Sequence, residues 1–94
     1  MVTVRELVWE NWNKSHIARH SVSKNEVEEV CQGQHVTSKT YAGRLRVIGR
    51  TNNGKSLTII LAPKDKGKYY PVTARPASRK ERKIFDIMIG GEIN

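Results

Sequence analysis

The hydrophobic period of this chain changes near residue 35, and that change sets its architecture. Before it, apolar residues recur at three- and four-residue spacing; after it, they follow strand-like runs punctuated by turn residues. A Ser-x-x-Glu start at Ser78 then restores a helical pattern. Ninety-four residues close one modest core and leave no room for a separate cofactor domain. The predicted fold is α+β: two N-terminal helices, an antiparallel meander of about four strands, and a C-terminal helix packed on the sheet. One domain spans 1–94, with its core over about 7–88 and a frayed tail at 89–94.

Residues 10–20 read as the first helix, with Trp9, Trp12 or Asn13, His16, Ile17 and His20 near one face. Ser23 and Glu26 form a capping box, and Val22 and Val27 a hydrophobic staple, opening a second helix that buries Val27, Val30 and Cys31 and stops at Gly33. HVTSKTY and RLRVIGRT read as strands joined at Ala42 and Gly43, and Asn52-Asn53-Gly54 turns into KSLTIILA. That run is apolar on both faces, so it is expected in the middle of the sheet, covered on both sides. A loop over 63–67 leads to KYYPVTAR, where Pro71 demands an edge position or partial pairing. The last helix runs from Ser78 to about Met88, with Ile84, Phe85 and Met88 inward.

Charge is unevenly spread. Residues 1–31 carry four bases and five acids, whereas 32–94 carry thirteen bases and four acids, so the net +8 belongs to the second part. Such a balance points to a polyanionic partner and one basic face. No apolar run approaches the roughly 18 residues of a membrane span, and the first residues lack the order of a signal peptide. The single cysteine, Cys31, excludes an internal disulfide and is expected to be a small core residue. The expectation is a cytoplasmic protein with no cofactor and no membrane contact.

No phosphate-binding glycine loop, Ser–His–Asp set or zinc ribbon is present. The polar inventory suits metal-independent RNA cleavage, in which a 2′-OH attacks the adjacent phosphate while a base, an acid and cations assist. His16 and His20, one helical turn apart, are candidates for proton transfer; as a metal pair they lack an evident third ligand, and they can also pack beneath Trp9 and Trp12. Glu81 is either a capping residue or a general base, and Arg79 and Arg82 flank it. Arg75 is the strongest candidate for gripping phosphate, followed by Arg50, while Arg44 and Arg46 are binding residues or a solvated strand face. Of Tyr69 and Tyr70, one is expected to pack and the other to stack a base or meet a phosphate. Trp9 and Trp12 are read as core or partner-side packing.

The stretch from Trp9 through Trp12-Asn13, His16 and His20-Ser21-Val22 resembles the opening signature of the BrnT-type toxins. Glu26-Val27-Glu28-Glu29-Val30 looks like that family's second helix, and Arg46-Val47-Ile48-Gly49-Arg50 with Gly54 its central hairpin. Tyr70-Pro71-Val72-Thr73-Ala74-Arg75, followed by Ala77, Glu81 and Arg82, looks like its closing strand and helix. The resemblance covers roughly residues 7–85. Glu10 stands where the family has aspartate, and Ser21 where it has glycine. The resemblance implies a RelE-like ribonuclease fold and a type II toxin that halts translation. It also implies neutralisation by an antitoxin with a DNA-binding domain, operator DNA being reached only through that complex. Its functional residues would be His20, Arg50, Arg75 and Glu81, with Lys14, Arg19 and Tyr70 in support. The competing reading is a basic module that grips nucleic acid or a partner without cutting.

Overall fold

A computed structural model describes residues 4–89. In chain order it contains β1 (Glu6–Leu7), α1 (Asn11–Ala18), α2 (Lys24–Gln32), β2 (His35–Lys39), β3 (Leu45–Arg50), β4 (Ser56–Asp65), β5 (Lys68–Pro76) and α3 (Arg79–Ile89). The GGEIN tail, apart from the helical Ile89 before it, lies outside the described residues. The fold is α+β as expected, but the sheet is mixed: its order is β1-β5-β4-β3-β2, with β1 parallel to β5 and the other pairs antiparallel. The two-residue β1 was not expected, because so short a strand carries no alternation. Its pairing is tertiary: Arg5 and Glu6 N–H donate to the Gly67 carbonyl and Val8 N–H to that of Tyr69.

The strands sort their side chains by period two. Leu45 and Val47 of β3, Leu57, Ile59 and Leu61 of β4, and Ala74 of β5 form the main core with Ile17, Val22, Val27 and Val30 of the helical layer. On the opposite face Ile48 packs under Ala77 and Phe85, so α3 covers that side. The cover is partial: Thr58 is buried but its neighbour Ile60 is half-buried. The expectation that β4 is covered on both sides therefore holds at Thr58 and weakens toward the far end. Gly49 sets the distance between layers, since a Cβ there would lie 2.9 Å from Val30 Cγ1.

Both Ser-x-x-Glu boxes form. Ser23 Oγ accepts from Glu26 N–H at 3.2 Å while Ser23 N–H donates to Glu26 Oε1 at 3.0 Å, and Val22 and Val27 are both buried. In α1 Asn13 is buried beside Ile17, and Trp12 is not. The Asn13 Oδ1 accepts from Glu10 N–H at 2.7 Å and its Nδ2 donates to the Val8 carbonyl at 2.9 Å, which satisfies a fully enclosed amide. Three further details differ from the expectation: the first helix ends at Ala18, β4 continues to Asp65 where a loop was expected, and Met88 is exposed. Pro71 is accommodated by partial pairing: β1 reaches only Lys68 and Tyr69, and a register shift leaves Val72 without a partner on β4.

The chain leaves α1 through a left-handed residue, Ser21, at φ 60°. A side chain costs about 1–2 kcal/mol in that region, and glycine returns part of this gain as unfolded-state entropy. Ser21→Gly is therefore expected to stabilise the fold by about 0.5–1 kcal/mol, seen as a higher urea midpoint at unchanged slope.

Candidate nucleic-acid interface

The side of the sheet that carries α3 gathers much of the basic character of the second half. Register places Arg46 opposite Ile60, Ile48 opposite Thr58, Thr58 opposite Arg75, and Arg50 opposite Ser56, so all share one face. The first turn of α3 lands on this face. Its Glu81 is the centre of the site: Arg75 Nη1 and Nη2 donate to its two carboxylate oxygens at 2.7 and 2.8 Å, in fork geometry. Thr58 Oγ1 donates to Oε1 at 2.9 Å, and Ser78 N–H donates to the same oxygen at 2.9 Å. Arg46 Nη1 stands 4.0 Å from Oε2.

This environment decides the protonation of Glu81. The Arg75 hydrogen bonds, followed by those from Ser78 and Thr58, outweigh the cost of burial and bring its carboxyl from the usual 4.5 down to about 2. The same pair raises the affinity of Arg75 for its proton. A carboxylate so well supplied with donors is a weak base, and its chemistry here is to hold Arg75 in place. Capping and ion pairing, posed as alternatives by the sequence, are performed by one residue. Glu81 is buried, whereas the Arg75 side chain is 43% exposed. Two guanidiniums about one carboxylate leave a net positive, solvent-facing edge suited to a phosphate.

Other candidate residues lie apart from this cluster. Arg50 is on the same face but pairs with Asp86 at 2.8 Å and lies over the Phe85 ring. It borders an open groove of about 520 Å³ between the ends of α2 and α3, lined also by Glu29 and Asp86. None of Arg46, Arg75 and Glu81 lines that groove, and its two carboxylates make it the poorer place for an anion. Arg82 turns back to donate to the Ala77 carbonyl, and Arg79 is exposed on the first turn of α3. Arg44 lies over Tyr41, at the end of the sheet remote from Arg75.

Lys14, His16, Arg19 and His20 are exposed along α1 and the turn after it. The two histidine rings are 6.4 Å apart, edge to face, rather than packed beneath the tryptophans. Among the described residues no group of three His, Cys, Asp or Glu side chains could hold a metal ion. Lys55 Nζ donates to the Ser21 carbonyl at 3.1 Å, tying the His20 turn to the β4 start. That is the end of the sheet where β5 terminates after Arg75. No contact among the described residues joins His20 to Glu81 or Arg75.

Trp9 is partly buried against the core and donates to Glu28 at 2.8 Å. Of the two readings of Trp12, core packing does not hold: the ring is half exposed and lies against Tyr70. Tyr69 is the tyrosine that packs on the core. Sequence reasoning missed Thr58 as a partner of Glu81 and Asp86 as a partner of Arg50. The first had a signal, a polar residue inside an otherwise apolar strand.

No protein-family model matches the sequence, and no curated protein matches it significantly. The fold does have a solved counterpart, the crystal structure of the ribonuclease toxin BrnT of Brucella abortus. The two superpose with a TM-score of 0.63 at 22% identity, over 79% of this chain and 97% of that one. The chain has the BrnT fold. No helix among the described residues is long and apolar enough to cross a membrane.

Proposed function

We propose that this protein is a BrnT-type toxin, an RNA endonuclease that works without a metal and halts translation. The observation that carries this reading is the Arg75–Glu81–Arg46 cluster, exposed at its guanidinium edge on the α3 face of a BrnT fold. In the reaction the ribose 2′-oxygen forms a bond to phosphorus as the P–O5′ bond breaks. The products are a 2′,3′-cyclic phosphate and a free 5′-OH. Arg75 and Arg46 stabilise the charge that develops on the phosphoryl oxygens, and Glu81 orients Arg75. His20, on the turn after α1, is the imidazole we assign to proton transfer. Arg50 takes a neighbouring phosphate, exchanging an exposed ion pair of small worth for it. Lys14, Arg19, Arg44, Arg79 and Arg82 contribute to the general attraction of the strand.

The natural setting of this activity is the cytoplasm, beside an antitoxin with a DNA-binding domain that neutralises the enzyme and carries it to operator DNA. A second reading has its own support. The saturated, strongly acidic Glu81 removes one candidate base, as expected of a module that binds RNA without cutting it. Total RNA incubated with the purified protein in EDTA separates the two. Shortened RNA with cyclic phosphate ends, together with growth arrest on expression, is the expected result. Intact RNA that is nevertheless bound, with affinity falling steeply as salt rises, would establish the binding module instead.

A further inference from the structure

An indole gains by leaving water, yet Trp12 is 49% exposed on a chain that packs its other tryptophan against the core. Its surroundings hold it there. Trp12 Nε1 donates to Glu10 Oε1 at 3.0 Å, which fixes the ring by its edge. Across the open edge of β5 its centroid is 5.8 Å from that of Tyr70, the two planes inclined at 51°. Lys64 completes the group, with Nζ 5.7 Å from the Tyr70 ring centre. The register shift between Pro63 and Asp65 leaves Lys64 without an opposite residue on β5, and such irregularities re-aim a side chain.

Tyr70 pairs with Ala62 and Arg75 with Thr58, four residues apart on β4, so both project from the face that carries the arginine cluster. The distance along the sheet is about 13 Å at roughly 3.3 Å per residue of β4, a span that a few extended nucleotides cover. We infer that Trp12 and Tyr70 form a stacking platform for an unpaired base, so that the RNA taken by the Arg75 site is single-stranded. The inference rests on the RNA reading above and adds the class of strand and the residues that select it. Aromatic faces stack any base, but only one that is not already stacked and paired within a duplex. Lys64 meets the adjoining phosphate. The hydrogen bond to Glu10 pre-sets the indole, which lowers the ordering cost of binding.

The test compares a labelled 12-nucleotide RNA with the duplex of the same sequence, by fluorescence anisotropy at one salt concentration. The wild-type protein is expected to prefer the single strand. Trp12→Ala should weaken single-strand binding about 5- to 150-fold, the range for loss of one aromatic stack, and leave duplex binding unchanged. Trp12→Phe should retain most of the affinity, and Tyr70→Leu, which keeps the strand covered, should reproduce the loss. Arg75→Ala should weaken both ligands alike. Wild-type affinity of Trp12→Ala for the single strand, or equal losses for both RNAs, overturns the platform while leaving the nuclease intact. A wild-type protein that binds neither RNA removes the RNA reading and the platform together, and leaves the exposed aromatics as a surface for a protein partner.

Discussion

Glu81→Ala is expected to destabilise the protein by about 3 kcal/mol, a large effect for a polar side chain. The substitution removes the reciprocal cap of α3, leaves the buried Thr58 hydroxyl and Ser78 N–H without their acceptor, and releases Arg75. Solvent already screens the exposed guanidinium of Arg75, which keeps the figure at the lower end for a broken buried pair. Glu81→Gln retains an acceptor for Ser78 and Thr58 and should lose about half as much. The pH dependence carries the same signature. Because the folded carboxyl titrates near 2 against the usual 4.5, its contribution is full above about pH 5. It disappears as pH falls from there toward 2, on the order of 2–3 kcal/mol in all. Urea unfolding at a series of pH values should show wild type and Glu81→Gln converging as the solution is acidified. Curves that stay parallel would place Glu81 in an ordinary solvated environment.

The second large effect falls on cleavage. Removing one preorganised donor to a developing oxyanion commonly costs 10²–10³-fold in rate, and Arg75→Ala is expected to lower kcat/KM on RNA by about that factor. Arg75→Lys keeps the charge but not the fork held by Glu81, and should recover only a small part. His20→Ala should reduce kcat with little change in RNA affinity, in contrast to Arg50→Ala, which should act mainly on KM. Fold must be monitored beside activity, because Arg75→Ala also strips Glu81 of its strongest partner. Full activity of folded Arg75→Ala would remove this cluster from the reaction.

Much of this architecture was legible because it rests on local chemistry. The two Ser-x-x-Glu boxes, the Val22–Val27 staple and the apolar Leu57, Ile59 and Leu61 face of β4 each act over a few residues, and each appears in the fold. What the sequence hid is what depends on distant partners. Strand β1 exists because Gly67 and Tyr69 offer carbonyls to it. The spacing left Trp12 and Asn13 both open for the inner face of α1, and what decides for Asn13 is that its amide closes the Val8 and Glu10 backbone. The Arg75–Glu81 fork was half visible as a carboxylate among arginines, but choosing between cap and partner needed the register that sets Thr58 beside Arg75. Arg50 was grouped with Arg75 by residue type, and the turn of α3 that brings Asp86 over it separates the two.

Because a single carboxylate both nucleates α3 and anchors Arg75, an event at the guanidinium is transmitted to amides that never touch it. A phosphate drawing Arg75 away would leave the backbone of Arg79 to Arg82 supported by the Ser78 hydroxyl and a less constrained acid. Hydrogen exchange in that short segment then becomes a built-in reporter of occupancy, readable by mass spectrometry without any label on the nucleic acid.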